Sequence, residues 1–237
     1  MLQTTGTHEF LMIHFDGSLF GEGWTLERVY SCSGVIDIHA DCEFTKNEVK
    51  PYFCSDVGVK IDCCPSSTKI VEWCGLLIIL WTLEEKLESG ASLNGISKMV
   101  IRGDNQSLTK ILSRNRPIEE IKSWEQLCVV EVRRLFDVFE SKWGFKQIEV
   151  EWIPRDRNLR ADKLAADAKR NGDKNCSQLV RGKVDELVRK VYARKLEWDE
   201  GKGTKRKKRK RKKAIRKKTK RKKKKKKKTQ KGYPARV

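Results

Sequence analysis

Four carboxylates beside apolar segments are the residues of this chain most suited to chemistry. Asp16 follows an apolar run in "HFDGS", and Glu72 lies inside "TKIVEWCGLL". Asp104 lies in "IRGDNQSL", and Asp162 lies near the start of "LRADKLAADA". Carboxylates that are brought together repel one another and stay ionised only with cations among them, and Mg²⁺ or Mn²⁺ prefers oxygen ligands. The four acids therefore predict a divalent metal site, provided that the fold brings them together.

The position of Asp162 leaves two interpretations open. Leu159, Ala161 and Leu164 belong to an apolar stripe at helical spacing, so Asp162 falls in the first turn of a helix. The helix macrodipole stabilises an acid at this end whether or not the acid binds anything. A solvated first-turn acid and a metal ligand both fit the pattern, and the other three carboxylates must decide between them.

The elements that must position these acids follow from hydrophobic periodicity. Alternating residues predict five strands, over residues 8–18, 32–44, 56–63, 98–102 and 145–154. Apolar residues at helical spacing predict helices over residues 67–87, 106–112, 118–143, 158–168 and 178–198. Three consecutive strands favour an antiparallel meander, whereas strands that alternate with helices pair in parallel. The order predicts an α/β fold with a mixed five-stranded sheet flanked by helices, whose strand ends face a common crevice.

Four short motifs, in order, carry a resemblance to a known family. They are "FDGS", the helix start "EWCGLL", "GDNQSL" and "WIPRDRNLRADKLA". Together they span about residues 9–170 and resemble ribonuclease H of the type 1 and reverse-transcriptase-associated kind. The resemblance implies a ribonuclease H-like fold for a domain over residues 1–172. The number of residues between Asp16 and Glu72 in the sequence is large for that fold, so residues 43–65 are expected to contain an extended hairpin loop.

The resemblance also implies an activity, namely a metal-dependent endoribonuclease that hydrolyses the RNA strand of RNA–DNA hybrids. Two Mg²⁺ (or Mn²⁺) ions would activate a water and stabilise the departing oxygen. By the family's pattern Asp16 would bind both ions, Glu72 and Asp104 would bind on one side, and Asp162 on the other. The alternative is a retroelement-derived domain that is catalytically weak or inactive and binds nucleic acid.

Five further residues are candidates for substrate contact, each with a structural alternative. Gly17 and Ser18 fit a turn that passes close to a hybrid backbone, but they are also ordinary turn residues. Asn105 touches substrate or caps the next helix. Arg155 holds a phosphate or is a solvated loop charge, and Asn158 falls in a family position of the last motif.

Several tryptophans are predicted to belong to the core rather than to a base-stacking surface. They are Trp73, Trp81, Trp124, Trp143 and Trp152.

The positive charge of the chain is confined to its C-terminal segment. The net charge is +21, yet residues 202–237 hold 24 Lys or Arg and no acid, which leaves 29 basic and 32 acidic residues in residues 1–201. This segment is too poor in apolar residues to offset ordering entropy, so we expect it to be disordered. Its candidate nucleic-acid contacts include Lys205, Arg206, Lys207, Lys208, Arg209 and Lys210. Residues 173–201 are predicted to be a linker with one additional amphipathic helix.

The basic segment also determines the expected partners and location. Clustered Lys and Arg bind phosphates through counterion release and match a nuclear localisation signal. We expect a nuclear, in part nucleolar, protein, or a cytoplasmic one if the segment is not an import signal. The expected partner is an RNA–DNA hybrid or another nucleic acid. No membrane partner is expected, because no amphipathic anchor accompanies the charges, and the protein is expected to be a monomer.

Overall fold

The structure, a computed structural model, describes residues 9–20, 29–40, 54–61, 68–91, 93, 96–113 and 117–200. The chain divides into two compact units, Met1–Ala193 and Arg194–Val237. Of the second unit the described part is residues 194–200, which are helical. The predicted basic contacts at residues 205–210 lie outside the described residues.

A five-stranded mixed sheet forms the centre of the first unit. Its strands are β1 (Glu9–Phe20), β2 (Val29–Ala40), β3 (Cys54–Ile61), β4 (Lys98–Gly103) and β5 (Gln147–Trp152), arranged in the order β3-β2-β1-β4-β5. β1 pairs antiparallel with β2, and β2 with β3. β1 pairs in parallel with β4, and β4 with β5. The predicted fold class, three antiparallel strands followed by parallel ones, is confirmed.

Helices cover both faces of this sheet. They are α1 (Thr68–Glu88), α2 (Gln106–Ser113), α3 (Ser123–Ser141), α4 (Leu159–Asn171) and α5, residues 178–200. α1 packs on β1 and β2 and is itself covered by α3, whereas α4 packs on β1, β2 and β3. The middle of α1 is apolar on every side because it lies between the sheet and α3, and Trp73 and Leu77 are fully buried. Among the helices of the described residues, none is long and apolar enough to cross a membrane.

The long helix predicted over residues 118–143 is wrong at its start. Ile118–Glu120 form a separate 3-10 helix, and α3 begins only at Ser123. Ile121 is extended, with φ −93° and ψ 146°, which interrupts the helical path. The Gln126 side chain donates to the carbonyls of Ile118 and Ile121, and so connects the 3-10 helix to α3 without a continuous helix.

The segment after α4 contacts β3 before the predicted additional helix begins as α5. Lys174 forms an antiparallel bridge with Gly58 of β3, and the Asp173 carboxylate accepts the backbone N–H of Lys60. Arg181 donates to the Lys60 carbonyl and to Asp173. α5 buries a stripe of four valines, Val180, Val184, Val188 and Val191. Residues 173–193 therefore belong to the first unit, and its boundary lies after Ala193 rather than near residue 172.

The expected loop over residues 43–65 is described only in part. β3 lies inside this range, and the residues before Cys54 and after Ile61 are outside the described part of the chain.

Candidate metal centre

Three of the four predicted acids meet at one end of the parallel strands. One carboxylate oxygen from each of Asp16, Glu72 and Asp104 lies within 4.8 Å of the others. The register between β1 and β4 explains part of this convergence, because it pairs His14 with Arg102 and so brings Asp16 level with Asp104. Asp16 is only 3% exposed. The structure therefore bears out the predicted juxtaposition of these three side chains.

Two glycines let α1 approach β1 closely enough to deliver Glu72. A Cβ on Gly17 would lie 2.4 Å from the backbone nitrogen of Glu72, and a Cβ on Gly75 would lie 2.3 Å from the backbone oxygen of Asp16. Real Cβ atoms do not come this close, so each position requires a hydrogen in place of a side chain. The crossing of β1 and α1 fixes the distance between Asp16 and Glu72.

Asn105 connects α2 to the acid centre. Its side-chain oxygen accepts the backbone N–H groups of Ser107 and Leu108, which caps the start of α2. Burial raises the pKa of Glu72, and the nearby Asn105 side chain, which favours the charged carboxylate, opposes that rise. Asn105 is therefore the helix cap that the sequence offered as one alternative, and it also orients Glu72.

Asp162 lies near the three acids but is paired with a cation of the chain itself. α4 is fixed to the sheet by two bonds: Asn158 donates to the Phe15 carbonyl at 2.9 Å, and the Ser33 hydroxyl donates to the Ala161 carbonyl at 2.6 Å. Asp162 accepts a bond from the Arg155 guanidinium at 2.6 Å. The group of carboxylates found in the described residues holds three acids, not the four that the resemblance implies.

Burial and mutual repulsion raise the pKa values of two of these acids. Burial, with the nearby Asp104 and Asp162 carboxylates, raises the pKa of Asp16 to about 7. Burial, with Asp16 and Asp104, raises the pKa of Glu72 to about 9. The Arg155 guanidinium opposes both rises. Without an added cation, the pocket therefore disfavours the charged forms of both carboxyl groups.

The unsatisfied oxygens of the three acids fit a divalent cation. Asp16 Oδ2, Glu72 Oε2 and Asp104 Oδ1 are buried and have no hydrogen-bond partner among the described residues. A buried acceptor without a partner costs free energy. Mg²⁺ and Mn²⁺ bind carboxylate oxygens and would satisfy all three acceptors while relieving their repulsion. The donor set therefore suits a hard divalent ion.

The remaining candidates for substrate contact lie in different structural surroundings. Gly17 and Ser18 lie within β1, which continues to Phe20, so the predicted turn is wrong. Gly17 leaves room for α1, and its contact with a hybrid stays a prediction. Asn158 is 1% exposed and donates to the Phe15 carbonyl, so it has a structural role, and its substrate contact stays a prediction. The substrate contacts of Ser18, Asn105 and Arg155 stay predictions.

Trp152 is a site residue that the sequence interpretation missed. It was predicted to belong to the core, yet it is 48% exposed, and its indole N–H donates to the Asp104 carbonyl at 2.9 Å. The available signal was its position as the last residue of a strand next to the one that delivers Asp104. By contrast, Trp73, Trp81 and Trp124 are buried as predicted.

Residues 89–168 match a family model described as reverse transcriptase-like. No curated protein matches the chain at a significant level.

Three solved structures are similar to this chain. The N-terminal RNase H domain of a Mycobacterium tuberculosis protein, solved as a fusion with maltose-binding protein, is 20% identical, with 68% of this chain and 94% of that chain covered and a TM-score of 0.45. RNase H1 of the halophilic archaeon Halobacterium salinarum is 19% identical over 67% of this chain and 96% of that one, with a TM-score of 0.45. LC11-RNase H1, from compost, was solved in complex with an RNA/DNA hybrid. It is 16% identical over 68% of this chain and 96% of that chain, with a TM-score of 0.46.

The family match covers β4 to α4, the part of the chain that supplies Asp104 and Asp162. The other two acids of the pocket, Asp16 and Glu72, lie on β1 and α1, outside the matched residues. Residues 89–168 are therefore similar to a reverse transcriptase-like family, and the chain as a whole has a mixed five-stranded α/β fold.

Proposed function

We propose that this protein is a metal-dependent nuclease that hydrolyses the RNA strand of RNA–DNA hybrids. The observation that carries the proposal is the set of three buried carboxylate oxygens without partners, on Asp16, Glu72 and Asp104. A pocket that only stabilised the fold would gain nothing from keeping them unsatisfied. The motif resemblance and the family match over residues 89–168 support this reaction class.

The residues of the pocket would divide the work of holding the ions. Asp16, Glu72 and Asp104 would hold Mg²⁺ or Mn²⁺, and Asp162, near Asp16, would complete the centre. The bound ions would supply a nucleophile at neutral pH and stabilise charge on the phosphate that is attacked. Asn105 orients Glu72 through its side-chain bond, and Trp152 fixes the backbone of Asp104.

Recognition of the substrate would depend on shape and on phosphate contacts rather than on base sequence. A ribose 2′-hydroxyl distinguishes RNA from DNA, and phosphate contacts position a duplex without reading bases. The basic segment of residues 202–237 would add sequence-independent attraction to nucleic acid. We also propose that this segment directs the protein to the nucleus.

The test is a cleavage assay with the full chain on three labelled duplexes: RNA–DNA hybrid, duplex RNA and duplex DNA. We expect cleavage of the RNA strand of the hybrid with Mg²⁺, and none with EDTA. Asp16→Asn and Asp104→Asn should each abolish cleavage, because each removes a charged ligand from the pocket. Glu186→Gln, which changes an exposed acid of α5 paired with Lys190, is the matched control and should cleave normally.

Two results would contradict the proposal. Cleavage that survives Asp16→Asn would show that the activity does not come from this pocket. Tight binding of hybrid without any cleavage in Mg²⁺ or Mn²⁺ would instead support the binding-only alternative, a retroelement-derived domain without catalysis.

A further inference from the structure

The ion pair between Arg155 and Asp162 lies at the edge of the candidate metal centre. Arg155 is the first residue of the 3-10 helix Arg155–Arg157, which connects β5 to α4, and Asp162 is in the first turn of α4. Arg155 Nη2 lies 2.6 Å from Asp162 Oδ1. Asp162 is the acid that the described group of Asp16, Glu72 and Asp104 does not include.

The charge of Arg155 acts on the whole centre and not on Asp162 alone. It opposes the rise in the pKa values of Asp16 and Glu72, and Asp16 and Asp104 in turn favour the charged form of Arg155. The guanidinium therefore supplies positive charge where the resemblance places a second metal ion. A fixed cation and a divalent ion would compete for the same Asp162 oxygen.

We propose that the Arg155 guanidinium is the resident cation of the Asp162 side of this centre, so that the free protein binds one divalent ion at Asp16, Glu72 and Asp104, and Asp162 accepts a second ion only after Arg155 has moved away. This inference rests on the proposed function, because it assumes that the three-acid pocket binds metal. It assigns Arg155 a positioning role, in which it determines how many ions the centre holds before nucleic acid arrives.

The exposure of the pair shows that Arg155 can leave. The Arg155 side chain is 68% exposed and that of Asp162 is 31% exposed. Exposed ion pairs of this kind are weak. A phosphodiester accepts paired hydrogen bonds from a guanidinium, so a phosphate of the nucleic acid backbone is the chemical group best suited to draw Arg155 away. The same movement would then release Asp162 for the second ion.

The experiment counts ions directly and does not depend on cleavage. Full-length protein without nucleic acid is titrated with Mn²⁺, and the free ion is followed by electron paramagnetic resonance. We expect one bound ion in the centre of the wild type. In Arg155→Gln we expect a second ion whose dissociation constant is at least about fivefold lower than any second binding in the wild type. This gain should disappear in the double variant Arg155→Gln/Asp162→Asn, because the two residues act through one pair.

Two control variants separate the pairing from simple charge removal. Arg157→Gln removes an exposed cation from the same 3-10 helix and should leave the ion count unchanged. Arg155→Lys keeps the charge and should keep second-ion binding weak. This variant also tests the role of the charge if Arg155→Gln folds poorly. A second ion that tightens equally in Arg157→Gln, or that does not tighten in Arg155→Gln, would overturn the inference.

The first ion distinguishes this inference from the proposed function. If Asp16→Asn leaves all Mn²⁺ binding unchanged, then the metal centre is wrong and the proposed function fails. If Asp16→Asn removes the first ion but the wild type already binds two, then the centre stands and only the role of Arg155 fails.

Discussion

Trp152 donates its indole N–H to the backbone carbonyl of Asp104 across 2.9 Å, so the last residue of β5 fixes the residue that follows β4. The parallel register pairs Trp152 with Gly103, and the backbone N–H of Ile153 donates to the Gly103 carbonyl. Two bonds therefore hold the β4 terminus where Asp104 enters the acid pocket.

We expect Trp152→Phe to lower both stability and hybrid cleavage. An aromatic ring remains but the N–H donor is lost, so the free energy of unfolding should fall by about 1 kcal/mol, and kcat by a few-fold as the Asp104 backbone loses this bond. The matched control is Trp143→Phe, because the Trp143 indole nitrogen is buried without a hydrogen-bond partner among the described residues. Chemical denaturation and steady-state cleavage give the two measurements. Equal losses in both variants would contradict the role of the Trp152 bond.

Gly75→Ala should damage the metal centre as well as the fold. The new methyl group would collide with the Asp16 carbonyl, so we expect a loss of about 1–3 kcal/mol in unfolding free energy and a smaller rise in melting temperature on adding Mg²⁺. Gly182→Ala is the control, since a Cβ there meets nothing within 4 Å and replaces glycine within α5. That change should stabilise the protein by about 0.5–1 kcal/mol. A neutral effect of Gly75→Ala would show that β1 and α1 can separate freely.

The stability of the metal-free protein should fall as pH rises from about 5 to 9. The pKa of Glu72 is about 9 and that of Asp16 about 7 in the folded protein, both above their ordinary values. In this range the unfolded chain binds fewer protons than the folded one, so deprotonation favours unfolding. Glu72→Gln should flatten the slope and raise the unfolding free energy at pH 8 by at least about 1 kcal/mol.

Urea unfolding in EDTA across this pH range measures that effect. Glu186→Gln is the control, because the Glu186 carboxylate is exposed and the nearby Lys190 lowers its pKa. Addition of Mg²⁺ should reverse the slope, since the ion binds the charged carboxylates. Stability that rises with pH in EDTA would contradict the raised pKa values.

Variants of Asn105 should separate its cap from its bond to Glu72. Asn105→Ser keeps an acceptor for the N–H groups of Ser107 and Leu108, so stability should stay near that of the wild type while Mn²⁺ affinity falls. Asn105→Ala loses both functions and should cost about 1 kcal/mol in addition. Calorimetric Mn²⁺ titration and thermal unfolding make the comparison. Unchanged Mn²⁺ affinity in both variants would remove Asn105 from the centre.

Removal of the basic segment should weaken binding without changing the chemistry. Deletion of residues 202–237 removes 24 Lys or Arg, so the KM for hybrid should rise and its dependence on salt should become less steep. The kcat at saturation should stay the same, because the acid pocket is intact. Cleavage measured from about 50 to 200 mM salt tests this. An identical salt dependence in the shortened protein would contradict it.

The sequence predicts the sheet and the convergence of Asp16, Glu72 and Asp104, because each of these acids lies in or next to an element with strong hydrophobic periodicity. β1 and β4 are buried apolar strands, and their parallel register alone brings Asp16 level with Asp104. The fate of Asp162 was not predictable in this way. Its pairing with Arg155 depends on how one short 3-10 helix directs a flexible side chain, and local patterns carry no signal for that.

Two other differences between the sequence prediction and the structure, at Trp152 and at residues 172–177, also come from tertiary contacts. Trp152 continues the alternation of β5, so its ring was assigned to the core, but β5 is the outermost strand and leaves that ring half exposed. Residues 172–177 are polar and lack periodicity, which is typical of a linker. Their contact with β3 uses backbone groups and the Asp173 carboxylate, and hydropathy cannot reveal such contacts.

The hydrogen bonds from Asp173 and Lys174 to the outer edge of β3 have a consequence for self-association of the protein. An uncovered outer strand offers free N–H and C=O groups to any neighbouring chain and invites sheet-to-sheet aggregation. Lys174 and Gly58 exchange backbone hydrogen bonds at the outer edge of β3. Fragments truncated near residue 171 should therefore aggregate, whereas fragments that retain residues 172–193 should stay monodisperse.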